Sequence, residues 1–399
     1  MRGLDDIIAI IVDRLTDLIA SAARTQGFIL VGFAALRRLA NREDFFRAWL
    51  DHGRAGEMAW LEREPERRFD PRALDSRLRS VISLAYPYAA PARPTFRWPD
   101  ELRGRIAFYA LGPDYHREML ARTRAVERVI TANYPAAVTR AYVDTGPVLE
   151  REWANEAGLG WFGRNTNLLN VHHGSYFFLS EIFTDLEIDA EPRPARDHCG
   201  RCRRCLELCP TNALADGYLI EPRRCISYLT IEHRGPIPFE LRPGLGNWIF
   251  GCDICQEVCP WNESGERFEP ELAPSLPELM ALDEEGFRAR YGASAIRRTK
   301  RRGLLRNVAV ALGNSGNPDA VTPLAHGLSS DPEPLVRSHC AWGLGRLGGR
   351  RAADALERAH ARDDAAGVRS EIELAIDAAH GACALDAAHK DSNPARSTG

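Results

Sequence analysis

Apolar positions recur at helical spacing at the start of the chain and then alternate with strand-like runs. From residue 4 to 26 they repeat every three or four residues, which predicts an amphipathic helix. Apolar runs bounded by proline or glycine predict strands. The further segments are a helix at 117–133 and strands at 28–33, 80–86, 105–111 and 138–143. Because helices and strands alternate to about residue 190, we expect an α/β (α+β) domain there.

A different pattern follows in the C-terminal part of the chain, which is rich in Ala, Leu and Arg. Three triplets, Leu305-Arg306-Asn307, Val336-Arg337-Ser338 and Val368-Arg369-Ser370, recur at intervals of 31 and 32 residues. A Leu-Gly pair follows the first two triplets, at 312–313 and 344–345. Paired helices that stack at such a period form HEAT-like solenoids. A plain helical bundle is the alternative.

Proline-rich segments divide the chain. Residues 191–194 contain two prolines, which favour extended backbone and a domain boundary, and a Pro- and Glu-rich connector covers 263–277. We therefore predict an α/β domain at 1–190, a cysteine-rich domain at 191–262, a helical HEAT-like domain at 263–383 and a disordered tail at 384–399.

Composition narrows the classes of protein that fit. The 399 residues are 45% hydrophobic, and 52 Lys+Arg against 55 Asp+Glu give a net charge of −3. This excludes a uniformly basic nucleic-acid coat, although it allows a local basic patch, which would consist mostly of arginine. No apolar run approaches the roughly 18 to 20 residues that span a bilayer, and acidic residues interrupt the N-terminal apolar stretch. We expect a cytoplasmic protein without a membrane partner.

Eight of the ten cysteines lie between Cys199 and Cys259. In a reducing compartment such a cluster holds metal more often than disulfides. The first group reads C-x2-C-x2-C-x3-C-P over residues 199–210, which is the spacing of a bacterial ferredoxin loop. The second reads C-x2-C-x3-C-P over residues 252–260 and lacks the first member, because Ile249 occupies that position.

Three cysteines of such a loop hold one iron–sulfur cluster, and the fourth ligates the other cluster. Because the second loop lacks one ligand, we predict that Cys225 replaces it, in a ferredoxin-like domain with two 4Fe-4S clusters. The predicted ligands are Cys199, Cys202, Cys205 and Cys259 for the first cluster and Cys209, Cys225, Cys252 and Cys255 for the second. A pair of zinc sites is the alternative. We interpret Cys340 and Cys383 as small core residues.

Candidate acid–base chemistry centres on Asp144, which follows the predicted strand 138–143 and precedes a Gly-Pro turn. A buried carboxyl there could keep its proton near neutral pH and act as a general acid. The structural alternative is an aspartate that caps the next helix.

The segment Asp114-Tyr115-His116 begins like the D-x-H-x-x-G loop that offers histidine to cobalt. Since Met119 occupies the glycine position, we expect no cobalamin ligated by this histidine.

Glycines at 158, 160 and 163 form a G-x-G-x-x-G pattern. No clean strand precedes them, so support for a Rossmann dinucleotide site is weak. They would allow a flat or bulky cofactor to approach the backbone, with Arg164, Asn165 and Thr166 as polar contacts.

Together these motifs resemble the epoxyqueuosine reductases, the cobalamin-dependent iron–sulfur enzymes of queuosine synthesis in tRNA. The resemblance extends from Gly27 to about Asn262 and continues more loosely into the HEAT-like tail. It is carried by the eight cysteines, by both Cys-Pro endings, and by segments 104–105, 114–116, 143–147, 157–167 and 174–175.

The resemblance implies reduction of an epoxide on the cyclopentane ring of the modified wobble base to an alkene and water. It also implies that the first domain is catalytic and binds cobalamin without its own base on cobalt, and that the clusters reduce cobalt to a nucleophilic low-valent state. Asp144 would protonate the leaving oxygen, and Asp114 and His116 would help to supply protons. The expected cobalamin contacts are Asp144, Tyr109, Arg164, Asn165, Thr166 and Ser175.

The implied partner is the anticodon loop of a tRNA that carries epoxyqueuosine. Basic groups flank the clusters, and a second basic stretch opens the helical tail; both fit phosphate binding, although a solvated helix face is the alternative for any single arginine. The groups beside the clusters are Arg201, Arg203, Arg204, Arg223 and Arg224. The expected tRNA contacts are Arg297, Arg298, Lys300, Arg301, Arg302 and Arg306. We also expect an external low-potential electron donor and a monomer.

Two rival interpretations stay open. Reductive dehalogenases share cobalamin and two clusters, but they usually carry a twin-arginine export signal, which this N-terminus does not resemble. A ferredoxin-like carrier with a HEAT tail and no catalysis of its own would leave Asp144 and the glycine pattern unexplained.

Overall fold

The computed structural model describes residues 4–88, 98, 100–188, 194–215, 217–262 and 273–391, with side chains over residues 14–379 of these ranges. Its α-helices are α1 (Leu4–Thr25), α2 (Ala40–Asp51), α3 (Pro65–Phe69), α4 (Tyr115–Asn133), α5 (Glu150–Glu156), α6 (Arg204–Glu207), α7 (Ile226–Ile231), α8 (Ile254–Glu257), α9 (Leu276–Met280), α10 (Glu284–Tyr291), α11 (Lys300–Asn314), α12 (Val321–Ser330), α13 (Pro334–Leu347), α14 (Arg350–His360) and α15 (Ala366–Asp391). Its strands are β1 (Leu30–Ala35), β2 (Ser80–Pro87), β3 (Arg105–Ile106), β4 (Thr139–Tyr142), β5 (Trp161–Phe162), β6 (Leu168–Leu169), β7 (Phe177–Thr184), β8 (Leu214–Ala215), β9 (Leu219–Ile220) and β10 (Trp248–Phe250).

The chain forms two compact units that interleave along the sequence. The first unit comprises Met1–Ala92, Gly112–Arg223 and Asp253–Glu266. The second comprises Arg93–Leu111, Arg224–Cys252 and Arg267–Gly399. The predicted boundaries at 190, 262 and 383 divide the chain differently and stay predictions; the first two fall beside residues outside the described ranges.

A four-stranded antiparallel sheet in the order β1-β2-β7-β4 forms the centre of the first unit. The strands predicted at 28–33, 80–86 and 138–143 are confirmed as β1, β2 and β4, with ends that differ by at most two residues. Helices α1 and α4 bury Ile19 and Ile130 against Ile182 on one face of the sheet. On the other face Trp153 of α5 packs edge-on against Phe183 of β7.

Both helices predicted for this region are confirmed as α1 and α4. Helix α4 begins at Tyr115, two residues before the predicted start, because Asp114 caps it. The Asp114 carboxylate accepts a hydrogen bond from the backbone N–H of His116 at 3.2 Å, which satisfies one of the free amides of the first turn. Asp114 and His116 are therefore held together at one helix end.

The strand predicted at 105–111 is wrong over most of its length. Only Arg105–Ile106 forms a strand, β3, which pairs with β10 in the second unit, and Phe108–Ala110 forms a 3-10 turn. Ile106 and Ala110 are both buried in the helical core of this unit. A short apolar run does not by itself distinguish a strand from a buried turn, and here packing on helices decided the outcome.

The repeated Leu-Gly pairs of the tail mark close contacts between helices in the second unit. A Cβ on Gly313 of α11 would lie 2.6 Å from the Cα of Gly343 in α13, and one on Gly345 would lie 2.7 Å from the Cα of Ala375 in α15. A side chain at either position would push the helices apart. The predicted stacked-helix arrangement is confirmed, and Cys340 lies fully buried within it, as expected.

The end of the chain differs from its prediction. Helix α15 continues to Asp391, so residues 384–391 are helical rather than disordered; residues 392–399 and the Cys383 side chain lie outside the described part. No helix in the described ranges is both long enough and apolar enough to cross a membrane.

Candidate active site and cysteine loops

Asp144 lies directly after β4 in a left-handed backbone conformation, with φ of 53°. Its backbone N–H donates a hydrogen bond to the Glu150 carboxylate, and its own side chain is 49% exposed. The expected burial of Asp144 is therefore wrong, because the turn after β4 lifts the residue out of the core. The capping alternative is also excluded, since α5 starts at Glu150 with Leu149 as its cap residue.

His116 bridges the two aspartates that the sequence had singled out. Its Nδ1 lies 2.6 Å from Asp114 Oδ1 and its Nε2 lies 3.0 Å from Asp144 Oδ2. The hydrogen bond to Asp144, and then the one to Asp114, raise the pKa of His116 above its ordinary 6.5 against the opposing effect of burial. The structure thus assembles Asp114, His116 and Asp144 into one chain of proton-carrying groups.

Tyr115 is a member of this cluster that the sequence interpretation missed. Its hydroxyl donates a 2.6 Å hydrogen bond to Asp144 Oδ2, the same oxygen that His116 contacts. The Tyr115 ring stacks on His116 and on Phe178, with centroid distances of 4.1 and 4.3 Å. Its position between Asp114 and His116 was a signal, but only the helix start at Tyr115 turns Tyr115 and His116 toward Asp144.

Two acidic residues behind Asp144 were also missed. Burial, followed by the charge of Asp144, raises the pKa of Glu150 to about 8. Glu181 of β7 is fully buried, and neither carboxylate oxygen has a hydrogen-bond partner within the described residues. Burial and the nearby Glu150 raise the pKa of Glu181 well above its ordinary value. Glu181 lies in a strand that also contains Ser180 and Thr184, so the sequence does not show that its carboxyl is buried.

The first unit brings together the four cysteines predicted for the first cluster. Burial, followed by the charges of Cys259, Cys199 and Cys202, raises the pKa of Cys205 to about 11. Cys259 therefore joins the loop from a distant part of the chain, as the crossover pattern requires. Within the described residues, no group of three or more His, Cys, Asp or Glu side chains is spaced to hold a single metal ion. A cube whose four irons each take one thiolate accommodates a wider donor set than one zinc ion.

Two residues predicted to contact cobalamin, Asn165 and Ser175, also hold the cysteine loops. Asn165 is buried and donates to the carbonyl of Cys255 at 3.2 Å. The Ser175 hydroxyl accepts hydrogen bonds from Gln256 and Asn262 at 3.0 and 2.8 Å, which fixes the chain on either side of Cys259.

The other predicted cofactor contacts are more scattered. Arg164 donates to the carbonyl of Gly200 in the first cysteine loop at 3.0 Å. Thr166 is partly exposed, with φ of 65°, and its carbonyl accepts a hydrogen bond from Arg151. Tyr109 belongs to the second unit, where its ring packs against Phe250 at 6.1 Å.

The glycine pattern has a packing role. A Cβ on Gly160 would lie 2.1 Å from the Leu169 carbonyl oxygen, and one on Gly163 would lie 2.5 Å from the Leu169 side chain. These glycines therefore let β5 and β6 approach each other and do not open the backbone to a cofactor. Helix α5, and no strand, precedes the pattern, which excludes a Rossmann site here.

Two residues predicted to contact tRNA are structural. Arg306 is fully buried and donates to the carbonyls of Leu229, His233 and Gly235 at 2.6 to 2.8 Å. Arg301 is buried in an ion pair with Asp331 at 2.5 Å. Arg306 does not reach the surface, so its assignment as an RNA contact is wrong, and the Arg301 guanidinium is engaged by Asp331.

The remaining basic residues of that stretch stay at the surface of the second unit. Arg297, Arg298 and Lys300 are exposed, and Arg302 is partly exposed. Arg298 pairs with Glu232 at 2.8 Å while its side chain stays 44% exposed.

Three family models match separate parts of the chain. The model described as epoxyqueuosine reductase QueG covers residues 68–145, which include Asp114, His116 and Asp144. A 4Fe-4S double cluster binding domain covers 198–262, and HEAT repeats cover 293–377.

Similar proteins span nearly the whole chain. The epoxyqueuosine reductase of Xanthomonas campestris is 39% identical over 341 residues, which cover 83% of this chain and 95% of the relative. That of Pseudomonas aeruginosa is 40% identical over 344 residues, with 84% and 95% covered. The chain belongs to the epoxyqueuosine reductase family.

Solved epoxyqueuosine reductases have the same fold. A selenomethionine-labelled crystal structure matches with a TM-score of 0.85 at 28% identity, covering 92% of this chain and 100% of the other. A structure with an epoxyqueuosine-modified tRNA-Tyr stem loop matches with a TM-score of 0.84 at 28% identity, with 92% and 100% covered. The double-cluster domain and the HEAT repeats expected from the sequence are thereby confirmed.

Proposed function

We propose that this protein reduces epoxyqueuosine to queuosine at the wobble position of tRNA. The reaction consumes two electrons and two protons, breaks both epoxide C–O bonds, and yields an alkene and water. The observation that carries the proposal is the placement of His116 between Asp114 and Asp144, inside the segment that matches the reductase family model. A relative solved with a modified tRNA stem loop supports the same substrate.

In this proposal Asp144 is the general acid. Its exposed carboxyl delivers a proton to the oxygen that leaves the opened ring. His116 then returns a proton to Asp144 across their 3.0 Å contact, while Asp114 keeps the imidazole oriented and charged. Tyr115 positions the accepting oxygen of Asp144 through its own hydrogen bond.

The eight clustered cysteines are the proposed ligands of two 4Fe-4S clusters. Cys199, Cys202, Cys205 and Cys259 would hold the first, and Cys209, Cys225, Cys252 and Cys255 the second. An external low-potential donor would supply the electrons, since the described residues offer no other redox group besides the thiols.

Cobalamin is the proposed electron acceptor of the clusters. Both ring nitrogens of His116 are engaged by carboxylates, which fits a corrin that takes no ligand from this histidine. When bound, reduced cobalamin would supply a strongly nucleophilic cobalt centre for opening of the epoxide. Its proposed contacts are Asp144, Arg164, Thr166 and Tyr109, with Asn165 and Ser175 acting through the cysteine loops that they hold.

The tRNA contacts proposed in the second unit are Arg297, Arg298, Lys300 and Arg302, the surface-accessible members of the basic stretch. Because these side chains are cationic and exposed, they suit the phosphates of an anticodon stem loop. A tRNA substrate also places the proposed enzyme in the cytoplasm, where we expect it to act as a monomer.

The decisive experiment incubates the reconstituted protein with cobalamin, dithionite and epoxyqueuosine-containing tRNA, followed by mass spectrometry of the nucleosides. We expect conversion to queuosine, and omission of cobalamin should abolish it. Unchanged epoxyqueuosine with fully loaded protein would refute the proposed reaction. Conversion without cobalamin would refute only the cofactor assignment.

A further inference from the structure

The two cysteine loops share one spacing but differ in the residues between the cysteines. In register, Arg201, Arg203 and Arg204 of the first loop correspond to Gly251, Asp253 and Ile254 of the second. Since the last three cysteines of both loops have the same spacing, cluster binding itself does not require arginine at these positions. The cationic side chains of the first loop therefore need a separate explanation.

The arginines and a neighbouring apolar residue form an exposed surface, which we call the first-loop face: Arg201, Arg203, Arg204 and Leu208. Leu208 is 50% exposed, whereas the corresponding Val258 of the second loop is only partly exposed, and Asp253 is buried. Cys202 and Cys205, between these residues in the chain, are partly exposed. A protein bound on this face would sit directly over the first cluster's ligands.

The first-loop face carries an excess of positive charge, because the exposed Glu207 between Arg204 and Leu208 adds one negative charge against three arginines. Within the described ranges Arg201, Arg203 and Arg204 make no ion pair. Some other exposed arginines of the same unit do, such as Arg37 with Glu156 at 2.6 Å and Arg47 with Glu43 at 2.8 Å. Unpaired cations around an exposed apolar side chain attract and orient an acidic protein, because complementary charge speeds encounter and a small apolar centre adds contact.

We propose that the first-loop face is the docking site of a small acidic protein that carries one electron. This inference rests on the proposed function and adds the place where electrons enter. Each docked carrier loses one electron to the first cluster and leaves oxidised. Two such encounters supply the two electrons that reduction of one epoxide consumes together with two protons.

An RNA occupant fits this face less well. Phosphate binding needs cations alone and gains nothing from the exposed side chain of Leu208. The face also surrounds the thiols of the first loop and contains none of the residues Asp114, His116 or Asp144, where the modified base would react. Electron delivery explains both the position and the composition of the face.

The test uses flavodoxin as the acidic probe and compares two matched double variants. Arg203→Gln/Arg204→Gln removes two charges from the face, and Arg124→Gln/Arg128→Gln removes two exposed charges from α4 in the same unit. By calorimetry at low salt we expect the first variant to bind flavodoxin at least about tenfold more weakly, with a flatter salt dependence. The α4 variant should bind like the wild type.

A second measurement needs no substitution. Bound flavodoxin should protect Arg201, Arg203 and Arg204 of the wild-type protein from arginine-modifying reagents, as read by peptide mass spectrometry, and leave Arg124 unprotected. Dithionite needs no docking site, so dithionite-driven conversion should be equal in both variants.

Equal flavodoxin affinity in the two variants, or absent protection, would overturn the docking proposal. The docking proposal would also be overturned if Arg203→Gln/Arg204→Gln lost affinity for tRNA but kept its affinity for flavodoxin. That outcome would assign the first-loop face to RNA. If dithionite-driven conversion is absent in the wild type, the proposed function fails, while flavodoxin binding and protection still report on docking independently.

Discussion

Nε2 of His116 lies 3.0 Å from Oδ2 of Asp144, on the oxygen that also accepts the hydroxyl proton of Tyr115 at 2.6 Å. One carboxylate oxygen of the half-exposed Asp144 is therefore contacted by both Tyr115 and His116. A proton lost from Asp144 has a replacement within hydrogen-bond distance. This relationship makes the acid–base role of the cluster testable.

Asp144→Asn removes the transferable proton but keeps the size and polarity of the side chain. We expect turnover of epoxyqueuosine-tRNA to fall by about 10²- to 10⁴-fold, the usual contribution of a general acid. Iron content and tRNA affinity should match the wild type, because Asp144 lies outside the cysteine loops and the basic stretch. Single-turnover mass spectrometry measures the effect, and wild-type rates in the variant would remove Asp144 from the mechanism.

Asp114→Asn should shift the pH dependence of turnover. His116 has a raised pKa, so its proton is held at low pH and lost as pH rises through that value. Without the Asp114 carboxylate the pKa falls, and the alkaline decline in rate should begin at lower pH. Asparagine still caps α4, so the fold is retained. An identical pH–rate profile in both proteins would show that Asp114 does not tune His116.

Glu150→Gln should change how stability depends on pH. The folded protein keeps Glu150 protonated up to about pH 8, while an unfolded chain ionises it near 4.5. Between these values the folded state binds the extra proton, so this residue makes stability fall as pH rises. Glutamine removes that dependence, and the Tm of the variant relative to wild type should increase from pH 5 to pH 8.5. The exposed Glu62→Gln serves as the control, and a constant Tm difference would contradict the prediction.

Arg306→Met should destabilise the protein without acting on RNA directly. It leaves the carbonyls of Leu229, His233 and Gly235 without their buried donor, and we expect a loss of at least about 3 kcal/mol in the free energy of unfolding. The exposed Arg297→Met should stay within about 0.5 kcal/mol of wild type and weaken tRNA binding instead. Urea unfolding and filter binding separate the two effects; unchanged stability with lost tRNA affinity in Arg306→Met would restore Arg306 as an RNA contact.

Cys259→Ser tests whether Cys259 joins the first loop. The wild type should contain about eight irons per chain, and the variant should lose up to about four, with the signal of one cluster removed. Electron paramagnetic resonance of the reduced protein and iron analysis measure this loss. Cys340→Ala, a change in the helical core, should keep the full iron content. Full iron content in Cys259→Ser would contradict the crossover assignment.

Local sequence patterns determined much of the architecture. The helices α1 and α4 and the strands β1, β2 and β4 follow from periodicity and residue type, since each depends on neighbours near in the chain. The cysteine spacing likewise predicted the double-cluster domain, because ligand geometry restricts how many residues separate the cysteines of one loop.

Tertiary structure alone decided which charged groups are exposed and which are buried. Asp144 proved exposed where burial was expected, and Arg306 proved buried where a surface contact was expected. Glu181 became part of the site because β7 carries it beneath Glu150. Burial and pKa depend on side chains that are distant in sequence. Local motifs and the family resemblance therefore singled out Asp114, His116 and Asp144, but only the fold placed His116 between the two carboxylates.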